Sequence, residues 1–136
     1  MSWRSNTPQP VQDDLDDLLD AALILAEERL AEHGEFYPFS IAIEVSGTRT
    51  VLDAVTGDAH QAKEMAFGAL KAIRSEIRAA AVVVDVALPQ AGSSGIDVHL
   101  EHTDGPAINV LEPYTIAGNE VLAEPLEGHT AQHRIW

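Results

Sequence analysis

The chain has 136 residues, 46% of them hydrophobic and only 5% aromatic, which fits one domain with a mostly aliphatic core and leaves no room for two. Twenty-two Asp and Glu against eight Lys and Arg give a formal charge of −14, which argues against nucleic acid and anionic membranes as partners, favours solubility, and permits a basic partner, a cation or mimicry of a nucleic acid. The absence of cysteine excludes disulfides, thiolate metal sites and a Cys nucleophile. No apolar run approaches the ~18 residues of a membrane span, and no signal-peptide pattern opens the chain, so a cytoplasmic location is expected.

Residues 1–10 carry two prolines and no period, and read as a disordered leader in which Trp3 alone has something to dock. A first helix is expected over 13–33, because Leu15, Leu18, Leu19, Ala22, Leu25, Ala26 and Leu30 recur at three- and four-residue steps. Asp13, Asp14, Asp16 and Asp17 would crowd its first turn, where the helix dipole welcomes anions, and Gly34 would end it. Phe36, Tyr37 and Phe39 then concentrate aromatic surface in one short link.

Phe39, Ile41, Ile43 and Val45 alternate with polar or small residues and predict a strand, followed by a turn at Gly47-Thr48 and an antiparallel partner over 49–55. Thr56-Gly57-Asp58 breaks that strand, and Asp58 is the expected N-cap of a second helix over 59–78. The nearly continuous apolar run 81–88 predicts a central strand, and 89–95 a loop of small residues. Residues 96–102 and 107–112 flank the turn signal Thr103-Asp104-Gly105-Pro106, and 121–126 adds a short edge strand limited by Pro125. The boundaries are thus a leader at 1–10, a single domain at 11–126 and a flexible tail at 127–136. The fold class is α+β, with two helices packed on one face of a largely antiparallel sheet of five or six strands, in the order α-β-β-α-β-β-β(-β).

Two stretches carry a resemblance. Gly34-Glu35-Phe36-Tyr37-Pro38-Phe39 after an acidic helix, and Leu100-Glu101-His102-Thr103-Asp104-Gly105-Pro106 with Pro113-Tyr114 beyond it, resemble small acidic bacterial α+β proteins of uncharacterised function. The likeness covers about 15–114. It implies an α+β domain and no assigned activity or site residue.

Four sets of residues are candidates for chemistry. Strand alternation puts Asp97, His99 and Glu101 on one face, where imidazole and carboxylates can share a divalent metal with a further ligand from His60 or Asp85. The same alternation describes the wet face of an antiparallel sheet. Asp85, between Val84 and Val86, needs partners if its strand is buried on both faces. His129 and His133 would share one side of a helix, should one form there. Between Asp13 and Glu35 nine acids face one Arg, a candidate surface for a basic partner.

No phosphate-binding, dinucleotide, nucleophile-elbow or zinc-protease motif is present, and no cofactor is implied. The expected function is a non-enzymatic protein-interaction module or homodimer. The alternative is a small enzyme or a metal- or ligand-binding protein, using His99 and Glu101 beside a mouth of Phe36, Tyr37 and Tyr114.

Overall fold

A computed structural model describes residues 3–53, 57–88 and 92–136. The expected end of the second strand at 54–55, the break at Thr56 and the first part of the 89–95 loop lie outside these residues. The α+β class and the order of helices and strands are as expected.

A 3-10 turn over Trp3–Asn6 precedes α1, Gln9–His33. Proline is tolerated in a helix's first turn, where its missing N–H has no carbonyl to meet, so α1 starts earlier than residue 13 with Pro10 inside that turn. The leader is therefore structured from Trp3 onward. Trp3 packs against the core beside α1, and Arg4 bonds Asp16. Gly34 closes the helix in the left-handed region (φ 78°), and its N–H donates to the Leu30 carbonyl.

The strands are β1 (Phe39–Glu44), β2 (Arg49–Asp53), β3 (Ile77–Leu88), β4 (Ser93–His102), β5 (Ala107–Ala117), β6 (Glu120–Ala123) and β7 (Glu127–Ala131). All pairings are antiparallel, in the order β2-β1-β3-β4-β5-β6, with β7 also paired to β5. The β1–β2 turn lies at residues 45–47, ahead of the expected Gly47-Thr48. The Glu44 carbonyl accepts from Gly47, whose φ of 102° suits glycine.

The second helix, α2, spans Ala59–Ala72, capped by Asp58 and Gln61 in a reciprocal box. It stops six residues short of the expected end. Ile77 is buried in strand β3 instead, so Arg74 and Arg78 do not belong to the helix. The stripe Ile73–Ile77 fits a helical step of four, which hid the boundary.

The helices do not share one face. Ile41, Ala79, Ala81, Val83, Ile96, Val98 and Leu100 pack with α1, whereas Ala42, Ala80, Val82 and Val84 pack with α2. These sets alternate along the strands, so α1 and α2 cover opposite faces. A central strand apolar at every position requires a cover on both sides. The sheet curls around α1, which touches β1, β3, β4 and β6.

Residues 127–136 are not a loose tail. Strand β7 pairs with the first half of β5 and β6 with its second half, so the two are one return path broken at 124–126. Three residues there oppose two on β5, a one-residue bulge that accommodates Pro125. Beyond β7 the chain folds over the α2 face, where Ile135 is fully buried.

Candidate functional site

Strand β4 places Asp97, His99 and Glu101 on one face, as the alternation predicts, but that face is covered. His99 is 5% exposed and Glu101 0%. The His99 ring meets Phe67 of α2 edge-on at 5.0 Å. Its Nδ1 faces the Asn109 side-chain oxygen at 2.8 Å, and its Nε2 faces Glu101 at 2.6 Å. Asn109 in turn donates to Asp97 at 3.0 Å. Glu101 also accepts from the backbone N–H groups of Arg134, Ile135 and Trp136. Burial alone would raise the Glu101 pKa. The His99 contact and the three N–H donors more than offset it, and the carboxyl sits below its ordinary range. Burial pushes Asp97 the other way, against the opposing pull of Lys63, Asn109 and His99.

Both His99 nitrogens are thus engaged, and neither presents a lone pair to a metal or substrate. Among the described residues no three His, Asp or Glu are placed to hold a metal ion. Asp85 is on the opposite face and cannot join this group. His60 is exposed on α2, away from it. His129 pairs with Asn109 in β7 and His133 reaches the Gly105 carbonyl, so no helix aligns them. The Asp97-Asn109-His99-Glu101 chain is buried at His99 and Glu101 and half-buried at Asp97 and Asn109, and its Glu101 end ties the last residues of the sequence to β4.

The acids of α1 divide in two. Asp13, Asp14, Asp16 and Asp17 occupy its second and third turns, not its first, because the helix starts at Gln9. Asp14 accepts two bonds from Arg78 at 3.0 Å and one from His102 at 2.9 Å. Asp16 pairs with Arg4, and Asp13 accepts from Gln9. Asp17 remains an exposed acid, so the acidic partner face is narrower than the sequence suggests.

The other expected residues meet at the end of α1. Asp85 accepts a short hydrogen bond from the Tyr114 hydroxyl and another from the Phe36 backbone N–H. Burial raises its pKa, the two donors pull it down, and Glu35 adds to the rise. Tyr114 is driven well above its ordinary range by burial and by the Asp85 acceptor. Asp85 opens into a cavity of about 840 Å³ walled by Phe36, Tyr37 and Pro38. The Tyr37 hydroxyl donates to the Gly57 carbonyl at 3.1 Å, which fixes the ring as one wall. Glu32, Glu35, Asp53 and Asp58 also line the cavity; its basic groups are Arg29 and His33, and Arg29 is paired with Asp53 at 2.7 Å. The expected mouth of Phe36, Tyr37 and Tyr114 therefore gathers around Asp85, not around His99 and Glu101.

Glu112 is the group that the sequence reading passed over. It is 4% exposed beneath α1, shares a hydrogen bond with Glu27, and has one oxygen, Oε1, without a partner. Burial and the Glu27 carboxyl push its pKa up to about 7. The signal was parity. Ile108, Val110 and Tyr114 all point at α1, and Glu112 shares their phase.

No described helix is long and apolar enough to cross a membrane. No family model, curated protein or solved structure matches the chain.

Proposed function

We propose that the protein is a binding protein for a small organic cation, held in the cavity at the C-terminal end of α1. The observation that carries this reading is Asp85, a half-buried carboxylate fixed by Tyr114 and Phe36 at the edge of an aromatic-walled cavity. An ionised carboxylate has about four acceptor positions, so two remain for a ligand. An ammonium against a Phe36 or Tyr37 face gains ~0.5–2 kcal/mol more. Five carboxylates against Arg29 and His33 make the cavity anionic, and the carbonyl end of the α1 dipole adds to that field.

Titration calorimetry with tetramethylammonium and with 1,4-diaminobutane tests it. Asp85→Asn should weaken 1,4-diaminobutane, whose ammonium donates to the carboxylate, by ~tenfold, the scale of one charge-assisted hydrogen bond, and should weaken tetramethylammonium, which has no N–H, by the lost charge attraction alone. Affinity should fall as pH drops through the raised Asp85 pKa, since protonation removes the anion. Cations that do not bind, or that bind Asp85→Asn as well as the native protein, would rule the reading out.

A further inference from the structure

Strand β2 is an outer strand, paired with β1 on one side and with no described strand on the other. The hairpin decides which of its backbone groups face outward. The Glu44 N–H donates to the Thr48 carbonyl at 2.8 Å, so residues 44 and 48 form a hydrogen-bonded pair. In an antiparallel ladder such pairs alternate, which makes Ala42/Thr50 and Ser40/Leu52 the bonded ones. Arg49, Val51 and Asp53 therefore turn their N–H and C=O groups away from β1.

These outward residues are self-complementary. Two copies of β2 related by a two-fold axis run antiparallel. With the axis at Val51, Val51 faces its own copy, and Arg49 faces Asp53 of the second copy at both ends. Each facing pair exchanges two N–H···O=C bonds, so no outward group on the three residues is left over. Sliding the strands by two residues strands one outward residue in each copy and separates the charges.

Natural edge strands are blunted by short length, charged side chains (Lys above all), Pro, bulges or a covering segment. Arg49-Thr-Val-Leu-Asp53 contains no Lys or Pro and keeps an unbroken register with β1. Its charges are the two that match under the two-fold. Val51 is 47% exposed, and the Arg49 side chain has no partner among the described residues. We propose that the protein forms a homodimer by antiparallel pairing of two β2 edges about an axis at Val51. The two sheets then join into one, with both α1 helices on the same face. Asp53 also lines the cation cavity, so Arg49 of the second copy lies at that cavity's edge.

Sedimentation velocity over a concentration series, extended to the highest soluble concentration, tests this. The native protein should pass from monomer to dimer. Val51→Pro removes an outward N–H and leaves the bonds to β1 intact, so it should melt cooperatively and stay monomeric. Arg49→Asp and Asp53→Arg each set like charges opposite one another, and each should raise the dimer dissociation constant by more than ~tenfold. Mixed together, these two variants place opposite charges at both positions, and a one-to-one heterodimer should return. That mixture reads the register even if Val51→Pro does not fold. A native protein that stays monomeric throughout, a Val51→Pro protein that dimerises, or a mixture that remains monomeric would each overturn the proposal.

Discussion

A carboxyl at position 112 keeps its proton to about pH 7, because burial and Glu27 both oppose its ionisation. In an unfolded chain the ordinary value is 4.5. Between these two values the folded form holds more protons than the unfolded one, so stability declines as pH rises, by up to ~1.4 kcal/mol per unit. Glu101 has the opposite sign. Its folded pKa is lowered, so its contribution is present above the unfolded value and is lost as pH falls through the folded one. The two acids together favour the mildly acidic range. Glu112→Gln places an amide where the acid must otherwise ionise. The native melting temperature should fall between about pH 5 and about pH 8, and the variant's should fall much less. Parallel melting curves for both proteins across that range would show that another group titrates.

At the scale of elements, one carboxylate holds the last segment of the chain. Three successive N–H groups, from Arg134 to Trp136, converge on Glu101, and Ile135 is buried just beside them. Arg134 adds to the anchor by lying 3.9 Å over Phe67 and pairing with Glu64. Glu101→Gln keeps the shape but replaces one acceptor oxygen by a donor. Leaving buried donors and His99 without their anion should cost ~2–4 kcal/mol in denaturant unfolding. It should also speed hydrogen exchange at the amides of 134–136 ahead of those in β4. Unchanged protection at these amides would mean that packing of Ile135, not the carboxylate, holds the segment.

This anchor also shows what could be read in the sequence and what could not. The alternation that groups Asp97, His99 and Glu101 was legible, as was the central place of β3. Which face is wet was not, because the cover comes from residues 134–136, remote in sequence and carrying no strand pattern. Strand β7 was invisible for a related reason. Glu127-Gly-His-Thr-Ala131 is largely exposed and mostly polar, and only its bonds to β5 make it a strand. The opposite placement of α1 and α2 was implied by Ala42, Ala80, Val82 and Val84, which leave no polar face on the central strands. The aromatic link beside Asp85 was legible as residues, and its meeting with Tyr114 only as structure.

For the whole molecule, charge is the property that acts over the longest range. Eight Lys and Arg can neutralise at most eight of twenty-two acids, so most carboxylates repel one another even with every pair formed. The exposed pairs Arg4–Asp16, Arg29–Asp53 and Arg134–Glu64 are each worth only ~0–1 kcal/mol, and salt weakens them. Salt screens the unpaired repulsion as well, with a Debye length of ~10 Å at 0.1 M. The second effect should win, because it sums over more groups. The melting temperature of the monomer should therefore rise as sodium chloride is added at low ionic strength. The dimer should respond in the same direction, since two chains of formal charge −14 must approach before β2 meets its copy. Its local Arg49–Asp53 contacts lie within a few ångströms, well inside the screening length, and lose less. Scanning calorimetry on dilute protein separates the folding effect from association. A melting temperature that falls with salt would mean that the ion pairs, and not the unpaired acids, dominate the electrostatics of this fold.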